Sequence, residues 1–112
     1  MYFAPTAASA VALELPQRGA DIVITYVSNA TAAESVVEQI RALGARAIAL
    51  KADVSQEEEV KPMFETLHRE FGRLDIAVSN SGIEHFGVLS EVRGSDIDAI
   101  FAVNVKNQYL VA

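Results

Sequence analysis

The chain has no cysteine, no long apolar run and no excess of positive charge. The absence of cysteine excludes a disulfide framework, a cysteine-based zinc site and thiol catalysis. The apolar runs are far shorter than the ~20 residues that a membrane-spanning helix needs. The amino-terminal segment lacks the basic residues of a secretory signal, so we expect a cytoplasmic protein.

The shortage of Lys and Arg also argues against a nucleic-acid surface, because 15 acidic residues outnumber 9 basic ones and leave a net charge of −6. The acidity comes from the run Glu57-Glu58-Glu59 and from scattered residues on helix faces, which is typical of solvated surface. The composition, 51% hydrophobic and 21% charged, is that of an ordinary globular core. With 112 residues, the chain is one small domain or a piece of a larger one.

Buried-strand patterns alternate with amphipathic helices along the chain, which is typical of an α/β fold with a parallel sheet. Three strands are predicted, at residues 21–27, 46–50 and 74–78. Four helices are predicted, over 7–18, from 31 to a stop at Gly44, from 55 to a stop at Gly72, and from 95 onward. On the last helix the buried stripe is expected to consist of Ile97, Ile100, Phe101, Val105 and Val111.

Two of these helices begin with capping-box patterns, Thr31 with Glu34 and Ser55 with Glu58. The second of them contains Pro62. Because an interior proline costs a helix ~3 kcal/mol, we expect a kink or a delayed start there.

Several polar residues follow the ends of the predicted strands, at the edge where open α/β sheets bind ligands. Asp53 and Val54 follow the second strand, and Asp53 is either an acceptor for an adenine amino group or a loop residue beside the Ser55 cap. The run Ser79-Asn80-Ser81-Gly82 follows the third strand, where Gly82 allows a ligand close to the backbone. The alternative for that run is an ordinary turn.

Asn104 is a polar residue on the otherwise apolar stripe of the last helix. A buried amide without partners costs roughly 1–3 kcal/mol, so it must bind backbone, water or substrate. A purely structural hydrogen bond is the alternative to a functional one.

Ser28 and Asn29 follow the first predicted strand, where an NAD-binding protein usually carries an acidic residue for the ribose 2′-hydroxyl. Small hydroxyl and amide donors stand there instead, which favours a 2′-phosphate and hence NADP. Arg18 is the only basic residue nearby in sequence, and a simple helix-entry turn is the alternative. Nothing in the pattern supports a metal site.

Taken together, these segments resemble the short-chain dehydrogenase/reductase family over nearly the whole chain. The resemblance is carried by Arg18-Gly19-Ala20, Asp53-Val54-Ser55, Phe71-Gly72-Arg73-Leu74-Asp75, Ser79-Asn80-Ser81-Gly82-Ile83 and Val103-Asn104-Val105. The form of the turn after residue 78 is most similar to the naphthol reductase and versicolorin reductase subgroup, which reduces polyketide-derived polyphenols with NADPH.

The resemblance implies a role for each site residue. Asp53 and Val54 would contact adenine, and Ser28 and Asn29 would lie beside the 2′-phosphate. Asn80 and Gly82 would line the nicotinamide side, and Asn104 would be the catalytic residue that holds a water in the proton relay.

The chain departs from the family at both ends, which predicts an incomplete Rossmann-like domain over residues 1–112. The central first strand is expected to be missing, and Tyr2, Thr6 and Ala8 fall where the family has the glycines of its pyrophosphate turn. The catalytic Ser and the Tyr-x-x-x-Lys pair of the family are also absent. Tyr109 and Lys106 cannot replace that pair, because it requires Tyr first and Lys four residues later.

These features predict a fragment of an NADP(H)-dependent reductase of carbonyl or polyphenol substrates that is inactive on its own. The alternative is a non-catalytic remnant that binds a nucleotide or, through its last helix, a full-length relative, because the family's tetramers pack through that helix. A flavodoxin-like binding domain is a third interpretation, which would need a phosphate loop that is not visible.

Overall fold

A computed structural model describes residues 2–3, 7–80 and 82–111 of the chain, with side chains from residue 10 onward. The strands are β1 (Tyr2–Phe3), β2 (Ile22–Tyr26), β3 (Ala47–Lys51) and β4 (Ser79–Asn80). The α-helices are α1 (Ala7–Glu14), α2 (Ala30–Ala42), α3 (Glu57–Phe71), α4 (Gly94–Phe101) and α5 (Asn107–Val111). A 3-10 turn (Leu15–Arg18) follows α1, another (Leu89–Glu91) precedes α4, and a π-helical turn (Ala102–Lys106) joins α4 to α5.

The strands form one parallel sheet in the order β3-β2-β1-β4, which confirms the partial Rossmann-like fold. The expectation of an empty central position is corrected, because β1 lies there and raises the number of strands from three to four. Tyr2 pairs with Thr25 on one side and with Ser79 on the other. Two extended residues suffice to form a strand here. The hydrogen bonds between strands use main-chain N–H and C=O groups, and every residue other than proline has both.

The strand predicted at residues 74–78 is shifted to Ser79–Asn80. A strand exists only where a neighbour offers main-chain partners, and β4 pairs with β1 through Tyr2–Ser79 and Phe3–Asn80. The apolar residues that precede Ser79 therefore lie outside the ladder although their composition suits a strand.

Helices cover both faces of the sheet, and each face has its own apolar cluster. One cluster joins α1 and α2 to β2 and β3, and its fully buried members include Val37 and Ile40. The second joins Ala52, Val54 and Met63, with Val111 of α5 packed against them. The separation follows from the alternation of side chains along a strand, which sends neighbouring residues to opposite faces.

The helix starts differ from the predicted caps. Asn29, not Thr31, begins α2, since its Oδ1 accepts the amide hydrogen of Ala32 at 3.0 Å. Helix α3 begins after Gln56 instead of Ser55, and it continues through Pro62 without a delayed start. Pro62 lies in the second turn and on the exposed side, so the one carbonyl that loses its helical partner there is accessible to water.

The predicted last helix is divided into α4, the π-helical turn and α5, and its apolar stripe is buried only in part. Ile97, Phe101, Val105 and Tyr109 recur every four residues and are between 44 and 81% exposed. Of the predicted stripe, Val111 packs against the second cluster and Ile100 is half-buried, whereas Ile97, Phe101 and Val105 remain exposed. No helix among the described residues has the length and apolarity required to cross a membrane.

Candidate functional site

The carboxyl ends of the strands bring the predicted site residues to one edge of the sheet. Along this edge Asp53 follows β3, Ser28 follows β2 and Gly82 follows β4. Parallel strands are ~4.8 Å apart, so three steps from β3 to β4 span about 14 Å. A ligand that contacts both ends must therefore be elongated.

Asn104 is bound to the loop after β4. Its Oδ1 accepts the amide hydrogen of Ile83 at 2.9 Å, and its Nδ2 donates to the carbonyl of Ile83 at 2.8 Å. A Cβ atom at Gly82 would lie 3.2 Å from this Oδ1, so glycine permits the close approach. The amide of Asn104 thus bonds to backbone at the strand tips, as one of the sequence-based alternatives required.

Asn104 also lies at the centre of the π-helical turn. The backbone N–H of Asn107 donates to the carbonyl of Ala102, five residues earlier, and this bond widens the turn. Single π-turns inside helices are often found at functional sites. The sequence offered no signal for the wider turn.

Asn107, which the sequence analysis did not identify, is fully buried one turn after Asn104. Its Nδ2 donates to the carbonyl of Val103 at 3.2 Å, within the same π-helical segment. The only sequence signal was its spacing of three residues from Asn104.

Asp53 organises the loop between β3 and α3. Its Oδ1 accepts the backbone N–H of Ser55 at 3.0 Å and the Ser55 hydroxyl at 2.6 Å. Its own backbone N–H donates to Oε2 of Glu59 at 2.7 Å. The carboxylate therefore holds the loop, which matches the structural alternative and leaves contact with adenine a prediction.

Val54, the second residue predicted to contact adenine, is buried in the core cluster of α3 and α5. Its side chain packs there with Ala52 and Met63. Any contact of Val54 with a ligand at this edge would therefore use its backbone.

Ser28 and Asn29 lie at the exposed start of α2, as predicted. Asn29 caps the helix, and the first turn of α2 carries no acidic residue. Backbone N–H groups and the helix dipole make such a helix start favourable to a negatively charged group. For Asn29 the structure therefore shows the helix-entry turn, and contact with a 2′-phosphate stays a prediction.

The ladder brings a basic residue that the sequence analysis missed, Lys51, to the end of β2, the strand that leads into this helix. Lys51 is the register partner of Tyr26 in adjacent strands. Arg18, the residue that is near in sequence, instead forms an ion pair with Glu14 at 3.2 Å in the segment that precedes β2. Only the pairing of β2 with β3 brings Lys51 to this end of the sheet, and its position in the sequence does not indicate this.

A charged contact fixes the start of α4. The backbone N–H of Arg93 donates to Asp96 Oδ2 at 2.9 Å, and its guanidinium lies 3.2 Å from Oδ1. These contacts lower the pKa of the Asp96 carboxyl below its ordinary value, the Arg93 side-chain hydrogen bond being the largest cause. This contact anchors α4, and Asn104 lies in the π-helical turn that follows α4.

The pyrophosphate turn expected from the family falls largely outside the described residues. Thr6 is not described, and neither are the side chains of Tyr2 and Ala8. The expectation that Tyr2, Thr6 and Ala8 take the places of the glycines of this turn therefore stays a prediction.

Comparisons with known proteins agree with this geometry. A family model described as enoyl-(acyl carrier protein) reductase matches residues 6–112. Versicolorin reductase 1 of Dothistroma septosporum is 43% identical over 104 residues, which cover 93% of this chain and 40% of that protein. A hydroxynaphthalene reductase-like protein of Metarhizium robertsii is 44% identical over 102 residues, 91% of this chain and 38% of that protein.

Among solved structures, a short-chain dehydrogenase of Burkholderia cenocepacia in complex with NADP superimposes with a TM-score of 0.85 at 39% identity. The match covers 92% of this chain and 43% of that one. The chain thus spans about two-fifths of the length of the curated relatives it matches. The sheet order, the residues at its carboxyl edge and these matches agree, and the chain belongs to the short-chain dehydrogenase/reductase family.

Proposed function

We propose that the chain contributes the adenosine side and part of the nicotinamide side of an NADP(H) site in a reductase of carbonyl or polyphenol substrates. The 112-residue polypeptide on its own would bind the cofactor without turning substrate over. The observation that carries the proposal is the exposed start of α2, where Ser28 and Asn29 stand without an acidic neighbour in the first turn. A cytoplasmic location is part of this proposal.

The groups at the carboxyl edge fit a dinucleotide phosphate at the adenosine end. The Ser28 hydroxyl and the first amides of α2 are donors, and Lys51 on the neighbouring strand adds a positive charge. An acidic residue at this place would repel a 2′-phosphate. Asp53 would accept a hydrogen bond from the adenine amino group, in addition to the bond that its Oδ1 accepts from the N–H of Ser55.

At the other end, Asn80, Gly82 and Asn104 would face the nicotinamide side. Bound NADPH would supply a hydride, and the protein supplies orientation and proton-transfer groups. The two bonds from Asn104 to Ile83 fix its amide beside the loop after β4. An amide has two N–H hydrogens and two acceptor lone pairs, so Asn104 retains the capacity to hold a water.

The binding claim is tested by titrating the purified chain with NADPH and with NADH by calorimetry. We expect tighter binding of NADPH, and Ser28→Asp should weaken NADPH binding about tenfold or more while it affects NADH less. Ser35→Asp is the matched control because it introduces the same charge at an exposed position further along α2. Equal affinity for the two cofactors, or equal effects of both variants, would contradict the proposal.

The claim that the isolated chain is inactive is tested separately. NADPH oxidation is followed with naphthol and quinone substrates under conditions in which calorimetry shows bound cofactor. No turnover is expected, since the sequence has no Tyr-x-x-x-Lys pair. Substrate-dependent NADPH oxidation by the pure chain would refute this part.

A second candidate function is docking to a full-length relative through the last helices. The observation that favours it is the exposed stripe of Ile97, Phe101, Val105 and Tyr109. Contiguous exposed apolar surface of this kind marks interaction sites. We expect the chain to co-elute with a full-length relative in size-exclusion chromatography. Phe101→Lys should abolish co-elution. Val27→Lys, at the exposed residue that follows β2, should leave co-elution unchanged.

A further inference from the structure

The outer side of β3 is a free sheet edge in the part of the chain that the structure describes. In the order β3-β2-β1-β4, this strand has β2 as its single neighbour. Ile22 of β2 donates its backbone N–H to the carbonyl of Arg46, so Arg46 bonds inward. Neighbouring residues of a strand direct their main-chain groups to opposite sides. The N–H and C=O groups of Ala47, Ala49 and Lys51 therefore point outward from the sheet.

A free edge of this kind is a template for another strand. A row of unpaired N–H and C=O groups pairs readily with a second chain, and proteins commonly cover or charge such edges. A cleft of about 340 Å³ lies beside this edge, between Leu50 and Lys51 of β3 and the side of α3 that carries Pro62 and Thr66. The cleft leaves space for an extended segment along the carboxyl half of β3.

The start of the edge is covered by Arg41, in the last turn of α2. Its Nε and Nη2 both donate to the carbonyl oxygen of Ala47, at 3.2 and 2.8 Å. A charged donor makes a stronger hydrogen bond than a neutral one. The guanidinium therefore occupies the place of a hydrogen bond that an added strand would make to Ala47.

The β3 strand of a second copy is the occupant that this arrangement opposes. Two copies related by a two-fold axis would pair these strands antiparallel. With Ala49 on the axis, Ala47 of one copy would lie opposite Lys51 of the other. Arg41 would then meet Lys51 of the other copy, and like charges that face each other across a strand pair are destabilising. Arg41 thus opposes the pairing by its charge as well as by its bond to Ala47.

We propose that the outer edge of β3 is a strand-pairing surface for a second copy of this chain, and that Arg41 keeps it closed. Removal of the guanidinium frees the Ala47 carbonyl and removes the repulsion, so the chain dimerises through β3. Arg41 takes no part in the proposed cofactor site, and this inference is therefore independent of the proposed function.

Sedimentation velocity of the full chain and of Arg41→Ala tests the proposal. All proteins carry Phe101→Lys, so that the exposed apolar stripe of α4 does not contribute to association. We expect the protein that retains Arg41 to sediment as a monomer, and Arg41→Ala to dimerise at least about tenfold more tightly. Arg18→Ala is the matched control, because it removes the same charge from a side chain that pairs with Glu14 outside the sheet.

Hydrogen exchange identifies the surface that associates. In the Arg41→Ala dimer the amides of Ala49 and Lys51 should exchange more slowly than in the monomer, because they enter a ladder between the two copies. Circular dichroism checks that the variant is folded. If Arg41→Ala does not fold, Arg41→Gln carries the same test, because it keeps an aliphatic stem but loses the guanidinium, with Arg18→Gln as its control.

Three results would overturn the proposal. The first is a folded Arg41 variant that associates no more tightly than the protein that retains Arg41. The second is a dimer in which Ala49 and Lys51 exchange as fast as in the monomer, since the contact would then lie elsewhere. The third is an equal effect of the Arg18 variant, since loss of charge anywhere on the surface would then explain the association.

Discussion

Removal of the Asn104 amide tests the contact that joins the last helix to the strand tips. In Asn104→Ala, Ile83 loses both partners, which lie at 2.9 and 2.8 Å. A hydrogen bond contributes about 0.5–1.5 kcal/mol net, so the pair contributes about 1–3 kcal/mol. Because Ile83 is 42% exposed and water replaces part of this loss, we expect a loss of about 1 kcal/mol in the free energy of unfolding.

The assay is thermal and urea unfolding followed by circular dichroism. A loss of about 1 kcal/mol lowers the Tm of a domain of this size by about 4–8 °C. Gln108→Ala, in the adjoining helix α5, is the control and should shift Tm by much less. If Asn104→Ala and Gln108→Ala unfold at the same temperature, the two bonds to Ile83 do not stabilise the chain and the reasoning fails.

Asn104→Asp separates the acceptor from the donor at the same contact. The carboxylate still accepts the N–H of Ile83 but faces its carbonyl oxygen, so this variant should be the least stable at neutral pH. Protonation restores a donor, so the pKa of the introduced carboxyl is raised in the folded state. Its destabilisation should therefore shrink as pH falls toward about 4, which urea unfolding across that range would measure.

Two further predictions concern neighbouring contacts. Gly82→Ala should be about 1 kcal/mol less stable than Gly94→Ala, because its Cβ would lie 3.2 Å from Asn104 Oδ1 while nothing lies within 4 Å at Gly94; urea unfolding of both variants checks this. The lowered pKa of Asp96, due chiefly to Arg93, predicts a stability contribution that is present above its unfolded pKa and lost as pH falls through the folded value. Acid unfolding that Asp96→Asn leaves unchanged would contradict it.

The sequence predicted the strand-forming cores of β2 and β3 because the strands of a parallel sheet are covered on both faces and therefore apolar. It did not predict where the last strand begins, since the pairing of Ser79 depends on the position of Tyr2. Local composition cannot report which main-chain groups a distant segment supplies. The same limit applies to Lys51, which strand order alone places beside Tyr26.

The sequence predicted where the residues of the candidate site lie better than it predicted which atoms they contact. Motif positions identified the carboxyl edge, and Asn104 was correctly identified as needing partners. The burial of Val54 was not predicted, because it depends on how Met63 of α3 and Val111 of α5 pack in the same cluster, and the π-helical turn had no sequence signal. Periodicity likewise identified the apolar face of α4, while its cover depends on surfaces that a single sequence does not reveal.

The most direct test of the cofactor site is an NMR titration of the isotopically labelled chain with NADPH, followed through backbone amide shifts. The account predicts that the largest changes cluster at Ser28, Asp53 and Gly82, at the carboxyl edge of the sheet, and that Val23 at the opposite edge is unaffected. The absence of any change at saturating NADPH, or changes centred on Val23, would contradict it.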